Sequence, residues 1–267
     1  MSQATHLQQL FPGGDFAWAF RMRKADPAQF FRPQDKTDCL MQQRAGILDQ
    51  HPERHLCHCH DHQSHLKGLR DALVEWQVDT GDATDLESLA RHIETDFVLL
   101  DQATQSLKAA AVCFPSSWDP AEWPGAYIQD IHAVVPRLNV SIGAMITKFL
   151  TELKPGKAFQ RANWSFTRSA KLNYHPALER PILDDSIRLE EIHLRIEHQL
   201  FTAIEDTVIM GIRIEPIALL DLAGEQRLWA NLIQILDTMP DEVARYKSLH
   251  LGKDTLIRLM RAACESE

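Results

Sequence analysis

No stretch of this chain is apolar for long enough to enter a bilayer. The longest uninterrupted apolar run is six residues, Ala109 to Phe114, against the roughly 20 that a spanning helix needs. The opening MSQATHLQQLFPGGDF has neither a cationic segment nor an apolar one, so no secretory signal is visible. Cysteine is sparse and odd in number, with five residues at 39, 57, 59, 113 and 264. That excludes a regular disulfide framework and suits a reduced, cytoplasmic protein. Positive charge is in deficit: 28 Lys and Arg against 37 Asp and Glu leave a net charge of −9. So acidic a surface argues against nucleic acid and against an anionic membrane as partners. Repeats, low-complexity tracts and linkers are missing too. So are a glycine-rich dinucleotide fingerprint and iron–sulfur cysteine spacing, so any reducing power must come from another protein.

What remains is ordinary globular composition. The 267 residues are 45% hydrophobic and 24% charged, ample for a sizeable core. Residues 1–37 carry turn residues and are predicted irregular. Helical spacing then marks Cys39 to Leu48 and Leu66 to Trp76, the latter with Leu66, Leu69 and Leu73 on one face. Thr84-x-x-Glu87 predicts a capping box opening a longer helix, along which Leu86, Leu89, Ile93, Phe97 and Leu100 form one apolar stripe. Ala109 to Phe114 is predicted as a short buried strand. Tyr127 to His132 is a weaker strand, Val140 to Leu153 a helix and Ala158 to Phe166 a strand. Ile192 to Ile204 and Thr207 to Ile214 predict a hairpin turning at Glu205-Asp206. Helical periodicity returns over 219–267. The order implies an α+β fold with an antiparallel sheet, read as one domain over 1–267. It divides into a helical N-terminal portion (1–107), an α/β core (108–218) and C-terminal helices (219–267).

Histidine is in excess, with 13 residues, six of them at 51, 55, 58, 60, 62 and 65. With Cys57 and Cys59 they make a ligand-rich segment. If it were helical, His58, His62 and His65 would share a face and, with the two cysteines, present a possible second metal site for zinc or copper. The alternative is a set of exposed histidines near a helix start. The Cys-x-Cys-His spacing is not that of covalent heme attachment.

Six short motifs occur in an order that carries a resemblance: CFPSSW (113–118), IHAVVP (131–136), RANWS (161–165), LRIEHQ (194–199), IR (212–213) and YKSL (246–249). ETDFVLL (94–100) and the FPGGDF and RKADPAQFF segments extend it towards the N-terminus. Together they resemble the family of the heme-dependent oxidative N-demethylase α subunit. The resemblance implies a PAS-like antiparallel sheet holding heme b, flanked by N- and C-terminal helices. It also implies a monooxygenase acting on a small amine with dioxygen. The electrons would come from an NADPH-dependent reductase partner carrying FMN and a 2Fe–2S cluster.

The residues can be weighed against that chemistry. His132, at the end of a predicted strand, is either a core histidine bonded to a carbonyl or an axial ligand; the resemblance implies the ligand of the heme iron. Side chains alternate along a strand, so Arg195, Glu197, Gln199 and Phe201 share one face and Leu194, Ile196, His198 and Leu200 the other. The polar face is either wet or lines a pocket. The resemblance places Glu197 over the distal side, where a carboxylate would hold a cationic amine and relay a proton. It assigns Arg213 a catalytic place beside the oxygen site, and Arg161, Asn163, Ser117, Arg195 and Gln199 contacts to the cofactor, with surface ion pairs and a Ser116-Ser117 turn as the alternatives. Tyr246-Lys247 would close the heme edge. Two departures stand out: Val134 replaces the first proline of the family's His-Ala-Pro-Val-Pro, and Glu197-His198-Gln199 replaces its Glu-Arg-Gln. A non-catalytic heme- or gas-binding module and a scaffold that has lost heme remain open, since fold does not fix function.

Overall fold

The computed structural model describes residues 3–265. Its centre is one antiparallel seven-stranded sheet: β1 (Arg23–Lys24), β2 (Leu56–His58), β3 (Asp96–Asp101), β4 (Leu107–Ala111), β5 (Ala158–Thr167), β6 (His193–Ile204) and β7 (Thr207–Ala218). The spatial order is β1-β5-β6-β7-β3-β4-β2. β6 and β7 are the predicted hairpin, and Glu205 takes φ 51° in its two-residue turn, the left-handed conformation such tight connections need. Alternation sorts the side chains onto two faces.

One face is covered by helices from both ends of the chain. Phe97, Leu99, Ala109, Leu200 and Ile209 pack with Leu48, Leu66, Leu69 and Leu73 of the helices Cys39–Gln50 and Gln63–Glu75. Gly211, paired with Phe97 and Leu200, lies on this face, where a Cβ would come within 2.9 Å of Phe30 and 3.0 Å of Phe31. Further along, Phe166, Leu194, Ile196 and Ile217 pack with Leu228, Trp229 and Leu232 of the helix Gln226–Asp237, and with Leu256 and Met260 of the helix Lys253–Glu265. The opposite face carries Val98, Leu100, Ala110 and Val208 against Ile142, Ile146 and Leu150. The last two sit on the helix Ala144–Glu152, entered through a π-helical turn, Asn139–Gly143. Eleven α-helical segments are present among the described residues, and none is long and apolar enough to cross a membrane.

Four expectations are corrected. Residues 3–31 are not all irregular: they contain the helices Gln3–Leu10 and Pro27–Phe31 and the strand β1. The helix start near 84 is capped by Asp85 and Ser88, reciprocally, rather than by Thr84 and Glu87. That helix ends at His92, so Phe97 and Leu100 belong to β3. Finally, Tyr127 to His132 is not a strand: Ile128–Ile131 form a helical turn, and a 3₁₀ turn follows over His132–Val134. The Tyr127 carbonyl accepts from the amides of Asp130 and Ile131, bonds that curl the segment away from the sheet.

Candidate functional site

β5 and β6 build the polar wall. Arg161 pairs with Gln199, Asn163 with Glu197 and Ser165 with Arg195. Directly paired residues point to one side, so these side chains stand on the same face of the sheet, beyond the apolar cluster at its other end. Gln199 Nε2 donates to Glu197 Oε1 at 2.5 Å. A cavity of about 290 Å³ lies against this wall, lined by Ser116, Asn163, Arg195, Glu197, Tyr246 and Lys247 among others. A second, of about 190 Å³, is lined by Trp18 and Arg161 and shares Asn163, Trp164 and Lys247 with the first.

The electrostatics centre on four groups. His132 Nδ1 is sealed from solvent and has no hydrogen-bond partner, although the residue keeps some surface. Burial, and then the Arg161 guanidinium, push its pKa down to about 4. The imidazole is therefore neutral at ordinary pH and holds a free electron pair, the state in which histidine ligates a metal. Arg161 Nε is likewise buried and unpartnered. Burial lowers the pKa of that guanidinium, and Glu197 acts against the shift. Burial also pulls Lys247 down to about 8, with Glu197 opposing and Arg161 assisting. Partial desolvation and Glu197 together raise the phenol of Tyr246, whose side chain is otherwise exposed. Glu197 is thus the one carboxylate to which Arg161, Arg195, Tyr246 and Lys247 all respond.

Family comparison bears on this arrangement. The model of the family described as haem-dependent oxidative N-demethylase, alpha subunit-like, matches residues 38–257. The chain belongs to that family. The matched span of this N-demethylase alpha subunit-like chain contains His132, Arg161, Glu197 and Lys247, and it leaves out Trp18. The family is haem-dependent, and an alpha subunit implies partner components.

Other predicted site residues in this family member are engaged with the protein itself. Arg195, 2% exposed, donates to Ser116 Oγ at 3.2 Å and to the carbonyls of Lys171, Leu172, Phe114 and Pro115. Its guanidinium lies 4.9 Å from the Tyr174 ring centroid, and burial pushes its pKa down to about 10. It pins the segment 114–116 to 171–172, forming one cavity wall. Ser117, at φ 70°, accepts from Arg180 at 2.5 Å. Asn163 Oδ1 accepts from the Trp164 amide at 2.9 Å. Arg213 is not brought to Glu197: it pairs with His198 and so faces the other side. There it donates to the carbonyls of Phe30 and Arg32 and forms a 2.7 Å ion pair with Glu94. That is an anchor for the N-terminal segment, away from the cavity. His198 bonds Glu215 at 2.8 Å on that same far side.

The histidine–cysteine segment does not assemble. The helix begins only at Gln63, and residues 56–58 are β2, so the shared helical face of His58, His62 and His65 does not exist. Cys57 is buried in the apolar cluster, and burial drives its thiol up to about 12. Cys59 Sγ donates to the Leu107 carbonyl, His62 bonds the Cys59 carbonyl at 2.6 Å, and His65 bonds Thr207 Oγ1 at 2.7 Å. His58 is exposed, its ring centroid 4.0 Å from that of His62. Among the described residues no group of three or more His, Cys, Asp or Glu is placed to hold a metal ion. Sequence reasoning missed Trp18, Tyr174 and Arg180 as cavity-lining residues; all three come from irregular segments whose spacing carries no signal.

Proposed function

We propose that this protein is a heme-binding oxygenase component that removes a methyl group from a small amine, with electrons delivered by a separate reductase. The observation that carries the reading is the His132–Arg161 pair: a neutral imidazole with a sealed, unpartnered nitrogen beside a guanidinium with an unpartnered Nε. An orphaned buried donor or acceptor costs about 1–3 kcal/mol, so both atoms fit an absent group that would satisfy them. His132 would ligate the iron and Arg161 would meet a porphyrin carboxylate. Heme b, when bound, supplies the redox centre for oxidation by dioxygen.

The chain's own residues do the rest. Glu197 holds the ammonium form of an amine in the cavity, and Gln199 fixes the rotamer of that carboxylate. A half-buried carboxylate so placed also accepts or returns protons. Oxidative removal of a methyl group as formaldehyde, with one oxygen atom of dioxygen leaving in the formaldehyde and the other as water, needs two electrons and two protons from outside. A partner reductase using NADPH, FMN and a 2Fe–2S cluster would supply them. The five central strands, with helices between the second and third, support a PAS-like description of the sheet. The few, irregularly spaced cysteines support a reducing, cytoplasmic setting.

The test is spectroscopic. The protein expressed with heme supplied should show a Soret band at near one heme per chain, and a small cationic amine should perturb it. His132→Ala should lose heme far more readily than His58→Ala or His62→Ala. No Soret band overturns the reading, and equal loss in all three variants moves the ligand elsewhere.

A further inference from the structure

Lys247 stands where the two cavities meet and lines both, with Asn163 and Trp164. It is the one lysine lining either of them among the described residues. Its Nζ lies 4.8 Å from the ring centroid of Trp164 and 5.3 Å from that of Trp18, and it donates to the Trp164 carbonyl at 2.7 Å. Two indole rings within about 6 Å of one ammonium is the geometry by which proteins hold alkylated ammonium ligands. Here the ammonium belongs to the chain. Trp18 reaches it from the N-terminal segment, its own Nε1 tied to the Pro136 carbonyl at 2.8 Å. Trp164 reaches it from β5.

We infer that Trp18 and Trp164 form an ammonium cage which Lys247 fills from within, and that Lys247 is thereby a specificity-determining residue confining an alkylammonium ligand to the Glu197 side of the partition. A tethered cation occupies such a cage at an effective concentration a free amine cannot match. Lys247 lines both the cavity of about 290 Å³ and that of about 190 Å³, so its side chain stands between them. The inference rests on the amine reading above, but its test needs no heme, so the two fail separately.

Tetramethylammonium is the probe, followed by isothermal titration calorimetry on the purified full-length protein. Wild type should bind it weakly. Lys247→Ala empties the cage and should bind it at least tenfold more tightly. Trp18→Ala, added to Lys247→Ala, should abolish that gain. Lys247→Met refills the cage with an uncharged stem and should show no gain. A Lys247→Ala protein that is folded by circular dichroism and binds no better overturns the inference. So does a gain that survives loss of Trp18 or appears equally in Lys247→Met. If Lys247→Ala does not fold, Trp18→Ala alone decides. Mass-spectrometric mapping of reductive methylation should find Lys247 protected in wild type and modified at least tenfold faster in Trp18→Ala. Unchanged modification overturns the cage.

Discussion

The Arg161 guanidinium helps to hold the His132 imidazole neutral. Burial is the larger cause, and the adjacent cation adds to it, so the ring stays unprotonated down to a pH of about 4. In the unfolded chain the same ring would protonate near 6.5. The relation therefore has a consequence for stability in the absence of heme.

Between pH 6.5 and 4 only the unfolded chain takes up this proton. The contribution of His132 is fully present above about 6.5, is lost as pH falls, and levels off below about 4. A shift of this size corresponds to up to roughly 3 kcal/mol. Urea unfolding of wild type and His132→Gln at pH 7 and pH 4.5 should show wild type losing more by about that amount. Equal losses would mean that the native ring protonates freely.

Glu197→Gln keeps size and removes charge. The fold and heme content should persist, and binding of a cationic amine should weaken tens- to hundreds-fold, about 2–4 kcal/mol for a desolvated ion pair. Because Glu197 favours the charged form of Lys247, the Lys247 pKa should fall further below 8 in this variant, readable by NMR. His198→Ala, on the far face with Glu215, should leave amine affinity unchanged.

Arg195→Met should destabilise the protein by roughly 2–4 kcal/mol, since it removes the donor to the buried Phe114 carbonyl and to the part-buried carbonyls of Lys171 and Leu172. The loss should be the same with and without heme, measured by denaturant unfolding. A loss confined to the heme-loaded protein would make Arg195 a cofactor residue.

Asp96→Ala removes the partner of the fully buried Arg44 and the acceptor of the Cys113 and Phe114 amides. About 3–5 kcal/mol should be lost, as for other broken buried pairs. Asp96→Asn, which keeps an acceptor, should lose less. Thermal melts rank the two.

Much of the sheet was legible. β5, β6 and β7 announce themselves through alternation and a two-residue polar turn, and β6 sorts its side chains as expected. β3 was hidden because it is buried on both faces: Phe97 and Leu100 satisfy a helical stripe as readily as a continuous apolar strand. Arg213 was misplaced although the hairpin already held the answer. With its turn at Glu205 and Asp206, residue 198 rather than 197 falls opposite Arg213. The cage around Lys247 was beyond reach, because Trp18, Trp164 and Lys247 are brought together by tertiary packing with no local pattern linking them.

The lining of the larger of the two cavities beside Lys247 comes from residues 116–117, 163–167, 174, 180–183, 195, 197 and 246–248, which has a bearing on synthesis. A ribosome releases the N-terminal parts first, and the early segments begin to fold before the late ones exist. A nascent chain that has reached residue 240 already carries His132, Arg161 and the whole β5–β6–β7 meander, but the cavity still stands open where Tyr246 and Lys247 will sit. Ligand contacts made by Tyr246 and Lys247 are therefore absent while the sheet first forms; the pocket closes only once residues 246–248 have emerged.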